Sequence, residues 1–169
     1  RSTSLLVDDD VLIDAGTGVD ELDVAAMTRI RHVFLTHSHL DHVGFLPLLG
    51  DTVYGRVEHT IEVYGRPETI AALRDHIFNN VIWPDFTELP RERPVFRLNV
   101  VEPGECVEVD GRDFEMIPVN HIVPGVGYYV TDGDGAFAFS GDTTSNDTFW
   151  EGLNRRDRLD LLIVESAFP

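Results

Sequence analysis

Three histidines and one aspartate fall within six consecutive positions of this sequence, 37–42. His37 and His39 alternate along a segment that follows an apolar run, so both side chains can point the same way and bind one metal ion. Asp41 and His42 follow directly and can face a second ion where the chain turns. Neutral imidazole and carboxylate groups are ligands that suit Zn²⁺ and related ions. The spacing therefore predicts a metal site, and the alternative is a solvated, histidine-rich loop.

Two later residues extend this candidate site. His121 comes at the end of an apolar predicted strand, where a rigid element can hold a ligand in place. Asp142 follows another predicted strand beside Gly141, where the backbone can approach closely. Taken alone, each would be an ordinary surface, core or turn residue, so their weight depends on the histidine cluster. Glu165 ends the last predicted strand and is expected to support the ligands from behind.

Short apolar runs predict the elements that position these side chains. We expect an N-terminal hairpin, a first helix capped by Asp20, and a second helix that begins at Pro67. The predicted strands are 4–7, 11–13, 32–36, 61–64, 95–101, 106–109, 114–119, 126–130, 136–139 and 159–164, with a short helix at 148–153. Strands dominate, and no repeat or linker interrupts them. The sequence predicts one mixed α/β domain over residues 1–169.

The composition limits the partners of the protein. The chain has 30 acidic and 13 basic residues, all of the latter arginine, and a formal net charge of −17. This charge disfavours binding to nucleic-acid phosphates and to anionic membranes. The single cysteine cannot form an intrachain disulfide, and neither a membrane span nor a signal peptide is visible. We therefore expect a cytoplasmic protein that does not bind membranes.

The histidine cluster His37–His42, a later single histidine and Ser140–Thr143 resemble the metallo-β-lactamase superfamily. Within it, the chain is most similar to the class II 3′,5′-cyclic-nucleotide phosphodiesterases and their bacterial relatives, on the stretches 36–44, 140–144 and 163–169. The resemblance implies an α/β fold, an αββα sandwich with two metal ions at one edge of the sheets. The family has a glycine-rich segment before the first strand and a further histidine ligand beyond the last. The sequence is therefore expected to be trimmed at both ends.

The same resemblance assigns roles to individual residues. It implies six metal ligands, with His37, His39 and His121 for one ion, Asp41 and His42 for the other, and Asp142 bridging both. Asp14 is implied to buttress the histidine loop. The ions would be Zn²⁺, with Mn²⁺ or Fe as alternatives, and they would lower the pKa of a bound water to ~7. Asp41 would be the catalytic residue that orients this nucleophile or accepts its proton.

The activity implied by the resemblance is metal-dependent hydrolysis of 3′,5′-cyclic nucleotides, such as cyclic AMP, to 5′-monophosphates. The substrate would be a small anion, and a homodimer is the expected assembly. Related hydrolases are alternatives: tRNA 3′-processing endonucleases, thioesterases and β-lactamases. The endonucleases normally have glycine in place of Leu40, and the net charge of −17 argues against them. A non-catalytic metal-binding fragment is the alternative from another functional class.

Residues 78–94 have no clear hydrophobic period and contain several prolines. They are predicted to form a long loop, a lid or an insertion. Trp83 and Phe86 are the candidate substrate residues in this segment, because their rings could stack on a nucleobase. A hydrophobic plug or a dimer contact is the alternative for the same two side chains.

Overall fold

The computed structural model describes residues 2–165, which contain ten strands, five α-helices and one 3₁₀ helix. The strands are β1 Leu5–Val7, β2 Val11–Ile13, β3 His32–Phe34, β4 Ile61–Gly65, β5 Phe96–Val100, β6 Cys106–Val109, β7 Arg112–Val119, β8 Gly125–Thr131, β9 Ala136–Phe139 and β10 Leu161–Ile163. The helices are α1 Val24–Met27, α2 Leu40–Val43, α3 Leu46–Val53, α4 Pro67–His76 and α5 Asp147–Asn154, and the 3₁₀ helix is Thr17–Glu21. The closing residues 166–169 of the family-like motif lie outside the described range.

The chain divides into two compact units, residues 1–100 and 101–169. Each unit contains one five-stranded sheet. Whether these two units form the single domain expected over residues 1–169 stays a prediction. None of the helices among residues 2–165 combines the length and the apolar character that a membrane span requires.

The sheet of the first unit has the strand order β1-β2-β3-β4-β5. The hairpin strands β1 and β2 are antiparallel, as predicted, and all later pairs are parallel. In β4, the side chains of Ile61 and Val63 are buried, whereas those of Glu62 and Tyr64 are partly exposed. Parallel strands place their carboxyl ends at one edge of the sheet. Residues that follow β2 and β3 therefore lie close together.

Helices of the first unit bury their apolar sides against this sheet and one another. Helix α4 packs on β4 and β5, and α1 contacts α3. Pro67 occupies the first turn of α4, as predicted, because an N–H at that position would have no partner within the helix. The core of this unit contains residues of the sheet, the helices and the loops, among them Leu12, Val33, Leu35, Leu46, Leu49, Val53, Ile61, Val63, Leu73, Phe78, Phe86 and Phe96.

The first helical region differs from its prediction. Asp20, the predicted N-cap, lies within the 3₁₀ helix. The observed N-cap of α1 is Asp23, whose Oδ1 accepts a hydrogen bond from the N–H of Ala26 at 2.7 Å. The N-cap is the residue directly before the first helical residue, and Asp23 occupies that position before Val24, whereas Asp20 lies further back in the chain.

The sheet of the second unit has the order β10-β9-β8-β7-β6. Strands β6 to β9 pair antiparallel, and β10 is parallel to β9. As a result β7, β9 and β10 run in the same direction and end at the same edge. Helix α5 packs against β7. The helix and the sheet share a core that contains Ile117, Tyr129, Ala136, Ala138, Phe149 and Leu153.

Residues 78–94 contain no helix or strand, as predicted. Phe86 is only 4% exposed, and its ring centroid lies 5.6 Å from that of Tyr54 and 6.4 Å from that of Phe96. The ring of Phe86 is thus enclosed by neighbouring side chains. Its substrate role stays a prediction, as does the alternative of a hydrophobic plug. Trp83 packs against the same core and is partly buried, and its substrate role stays a prediction.

Candidate metal centre

The histidine loop of the first unit connects β3 to α2. His37 is buried, and its Nε2 lies 3.0 Å from Nδ1 of His39. Two nitrogen ligands of one tetrahedral zinc ion, each at 2.0–2.1 Å from it, would be about 3.3 Å apart. The spacing of these two imidazoles therefore fits a pair of ligands for one divalent ion.

His42 lies in the short helix α2 and is held by a buried carboxylate. Its Nδ1 is 2.7 Å from Oδ2 of Asp14, and both side chains are almost completely buried. Because the carboxylate accepts at Nδ1, Nε2 is the ring nitrogen of His42 that can bind a metal ion. Nε2 faces Asp41, whose Oδ2 is 3.8 Å away. Asp41 itself is exposed, which leaves its carboxylate accessible to water and substrate.

Thr36 joins Asp14 to the histidine loop, a role that was not predicted from the sequence. The N–H of Thr36 donates to Oδ1 of Asp14 at 2.8 Å, and its hydroxyl donates to Oδ2 at 2.8 Å. The same hydroxyl is 3.0 Å from Nδ1 of His37. Because a hydroxyl has one proton, and that proton goes to Asp14, the hydroxyl can only accept from this nitrogen. This arrangement assigns the Nδ1 tautomer to both buried histidines. The only sequence signal for Thr36 was its position between a buried strand and the first histidine.

The backbone near Asp14 also supports the loop. The N–H of Ala15 donates to the carbonyl of His42 at 2.7 Å. A Cβ atom added to Gly16 would lie 2.1 Å from the carbonyl oxygen of Asp41. Only glycine allows this approach, so the segment 14–16 fits against the start of α2 through its backbone.

The second unit places His121, Asp142 and Glu165 at one edge of its sheet, after β7, β9 and β10. All three line a cavity of about 540 Å³ together with Ile122, Thr143, Thr144 and Ser145. Gly141 precedes Asp142 at a φ of +58°, a backbone conformation that glycine adopts without strain. This turn brings the carboxylate of Asp142 to the cavity.

Hydrogen bonds fix the loop that carries Asp142. Oε2 of Glu165 accepts from the N–H of Thr143 at 3.2 Å, and the N–H of Glu165 donates to Ser140 Oγ at 3.0 Å. The N–H of Thr144 donates to the carbonyl of Asn120, next to His121, at 2.8 Å. The side chain and the main-chain N–H of Glu165 therefore both stabilise the loop that carries Asp142.

The structure brings the predicted site residues together within each unit. The first unit gathers Asp14, His37, His39, Asp41 and His42, and the second gathers His121, Asp142 and Glu165. The donor set of imidazoles and carboxylates suits a divalent ion, and the two buried imidazoles of the first unit already have fixed orientations. Their assignment as ligands of particular ions stays a prediction.

Comparison with known proteins identifies the family. A family model described as a β-lactamase superfamily domain matches residues 10–168. The chain belongs to this family. Among the curated relatives, the probable 3′,5′-cyclic-nucleotide phosphodiesterase of Yersinia pestis is 27% identical over 157 residues, which are 83% of this chain and 44% of that protein. Ribonuclease Z of Thermosynechococcus vestitus is 32% identical over 108 residues, 63% of this chain and 25% of that protein.

Solved structures of the family share the fold. The metallo-β-lactamase-fold protein YhfI from Bacillus subtilis matches with a TM-score of 0.75 at 19% sequence identity, covering 99% of this chain and 64% of that one. The predicted α/β fold class and the family resemblance are thus confirmed. The chain spans less than half the length of the two curated relatives.

Proposed function

We propose that this chain carries the metal centre of a hydrolase that converts 3′,5′-cyclic nucleotides to 5′-monophosphates. The observation that carries the proposal is the histidine loop, in which Asp14 and Thr36 contact Nδ1 of two buried imidazoles and Nε2 of His37 lies 3.0 Å from Nδ1 of His39. Such second-layer hydrogen bonds are typical of metal-binding histidines. Two divalent ions are proposed, Zn²⁺ first and Mn²⁺ or Fe as alternatives.

The proposed ligand set follows the family resemblance. One ion would be held by His37, His39 and His121, the other by Asp41 and His42, with Asp142 shared. When bound, such ions activate water and neutralise charge on a phosphoryl group. The protein would then orient these ligand side chains and accept the proton of the attacking water.

Asp41 is the residue proposed to accept a proton. Its exposed carboxylate lies beside Nε2 of His42, so it can hydrogen-bond to an attacking water and receive its proton. Asp14 cannot take this role, because its oxygens are occupied by Thr36 and His42. Glu165 is proposed to position the loop that carries Asp142, through its hydrogen bond from Thr143, and to take no part in proton transfer.

The similarity to the Yersinia phosphodiesterase over 83% of this chain supports a cyclic nucleotide as substrate. A small anionic substrate is also compatible with the net charge of −17, because it needs only a local binding site and no extended basic surface. We also propose that the protein binds no membrane and forms a homodimer.

A second candidate function is favoured by one observation, the 32% identity with a ribonuclease Z. That function would require an RNA-binding surface, and the excess of 30 acidic over 13 basic residues opposes it. Thioester or β-lactam hydrolysis would use the same centre. Assays with cyclic AMP, a tRNA precursor, a thioester and a β-lactam separate these activities.

The first experiment is to measure metal content after reloading the chain with Zn²⁺ or Mn²⁺, followed by hydrolysis of cyclic AMP. We expect close to two ions per chain. Loss of metal activation removes several kcal/mol of transition-state stabilisation, so we expect His39→Ala to lower turnover about 10³-fold or more. It should also lower the metal content.

The matched control is His76→Ala, which removes an exposed histidine at the end of α4. It should leave metal content and turnover unchanged. Full activity of His39→Ala would overturn the proposal. Metal binding without turnover of any of the four substrates would instead favour a non-catalytic metal-binding module.

A further inference from the structure

A shallow cavity of about 460 Å³, largely open to solvent, lies in the first unit beside the residues that precede β3 and β4. Three of the 13 basic side chains of the protein line it: Arg29, Arg31 and Arg56. The other lining residues are Asp9, Thr28, Val57, Glu58 and His59. None of these residues belongs to the predicted metal centre.

The cavity and the histidine loop lie at opposite ends of the same strand. Arg31 immediately precedes β3, and His37 follows it. Six residues of extended chain span roughly 20 Å. A ligand in the cavity would therefore not reach the histidine loop, and the inference does not depend on the proposed function.

Two of the three arginines are held in place by the protein itself. Nη1 of Arg29 donates to the carbonyl of Ala25 at 3.1 Å, and its Nε lies 3.3 Å from Oδ2 of Asp9. Nε of Arg56 donates to the carbonyl of Thr52 at 2.8 Å. A guanidinium group has five N–H donors, so each side chain keeps donors for a ligand. Groups oriented in advance lose less conformational entropy when a ligand binds.

Arg31 differs from the other two. Its main-chain N–H donates to the carbonyl of Asp10 at 2.8 Å, which fixes the backbone beside the β1–β2 turn. Its side chain is exposed to solvent. An exposed guanidinium can donate its N–H groups to a bound molecule.

The charge of the cavity is opposite to that of the whole chain. Three arginines face two carboxylates, Asp9 and Glu58, whereas the chain as a whole has a net charge of −17. At physiological ionic strength the screening length is about 8 Å. Distant carboxylates are screened over this length, while the arginines would act at contact distance on an anion.

We propose that this cavity is a second ligand site, which binds the phosphate group of a small anion. The anion is either inorganic phosphate or the phosphate of a nucleoside monophosphate. Planar guanidinium groups pair with phosphate oxygens through two parallel hydrogen bonds. The cavity volume of about 460 Å³ also leaves room for an organic part, since small-molecule sites span about 300–1,000 Å³.

The test is calorimetric titration of the full chain with inorganic phosphate, 5′-AMP and adenosine at constant ionic strength. The variant is Arg31→Gln, and the control is Arg155→Gln, which removes the same charge from an exposed side chain of the second unit. Loss of a charged hydrogen-bond pair should raise the Kd for phosphate about tenfold or more in Arg31→Gln. The control should bind as the unsubstituted chain does.

The ligands distinguish the two sources of phosphate. Tighter binding of 5′-AMP than of phosphate assigns the site to a nucleoside monophosphate, and equal affinities assign it to the phosphate group alone. Arg56→Gln should weaken binding as well, and circular dichroism checks that both variants are folded. Equal binding by the unsubstituted chain and Arg31→Gln overturns the proposal, because the anion then binds elsewhere, for example at the metal centre. Absence of saturable binding overturns it too.

Discussion

Asp14 is the side chain on which the geometry of the histidine loop depends most. Burial raises the pKa of its carboxyl, and the hydrogen bonds with His42 and Thr36 oppose this shift. A buried carboxylate is costly unless its oxygens are hydrogen-bonded, and here they accept from an imidazole, a hydroxyl and a main-chain N–H. Its φ of +61° is a conformation that aspartate adopts more readily than most residues. The position therefore requires both the charge and the shape of aspartate.

We expect Asp14→Asn to weaken metal binding without unfolding the chain. Asparagine has nearly the same shape, but its amide group donates where the carboxylate accepts. His42 would then carry its proton on Nε2, which removes the lone pair needed for a metal ion. Loss of such a supporting contact typically lowers metal affinity about 10–100-fold. Competition with a chromophoric chelator measures the affinity.

The control for this substitution is Asp51→Asn, which changes an exposed aspartate in α3. Its metal affinity should equal that of the unsubstituted chain. Equal affinity in Asp14→Asn would mean that the hydrogen bond to His42 does not set the ligand orientation.

At the scale of single elements, the first helix offers a direct comparison of two neighbouring aspartates. Asp23 caps α1 through the N–H of Ala26. We expect Asp23→Ala to lower the free energy of unfolding by about 1 kcal/mol, the usual cost of removing an N-cap. Urea denaturation followed by circular dichroism measures this difference.

Asp20→Ala is the matched variant, because Asp20 is exposed and does not cap α1. Its effect should stay within ~0.5 kcal/mol, as for most surface substitutions. A larger loss in Asp20→Ala than in Asp23→Ala would contradict the observed cap.

Elements with a clear hydrophobic period were predictable from the sequence, and those with special backbone requirements were not. Apolar runs located all ten strands of residues 2–165, and Pro67 marked the start of α4. Helices α2 and α3 were not predicted, because the histidine cluster and two glycines, Gly44 and Gly50, interrupt their apolar pattern. Their helical conformation depends on tertiary packing, which cannot be inferred from a local sequence pattern.

The candidate site was predictable in its residue types and only partly in its contacts. The spacing of His37, His39 and His42 indicated a cluster, and the structure brings the three imidazoles together. The role of Thr36 was missed, because its hydroxyl acts through two partners that lie on different elements. The arginine-lined cavity was also missed, since its side chains come from three separate segments.

The charge of the whole molecule predicts a strong effect of salt on stability. The 30 acidic side chains repel one another, and the 13 arginines offset fewer than half of them. Salt reduces the screening length from about 10 Å at 0.1 M to about 3 Å at 1 M. We therefore expect the melting temperature at neutral pH to rise between about 0.1 M and 1 M KCl. Differential scanning calorimetry measures this shift, and a melting temperature that does not rise would exclude adaptation to high salt.

The control for the salt effect is the same titration near pH 4.5, the isoelectric point of the sequence. The net charge is then close to zero, and repulsion contributes little. The rise in melting temperature should shrink accordingly. A rise of the same size at both pH values would mean that KCl acts through a mechanism other than charge screening.

Both sheets can be assembled in the order in which the ribosome makes their strands. Strands β1 to β5 lie side by side in chain order, and so do β6 to β10. Each strand that emerges during translation therefore adds to the edge formed by the strand just before it. No strand has to be inserted between two that are already paired. Within each sheet, the edge that grows waits only until the following strand appears, and the finished sheets keep the edge strands β1 and β5, and β6 and β10.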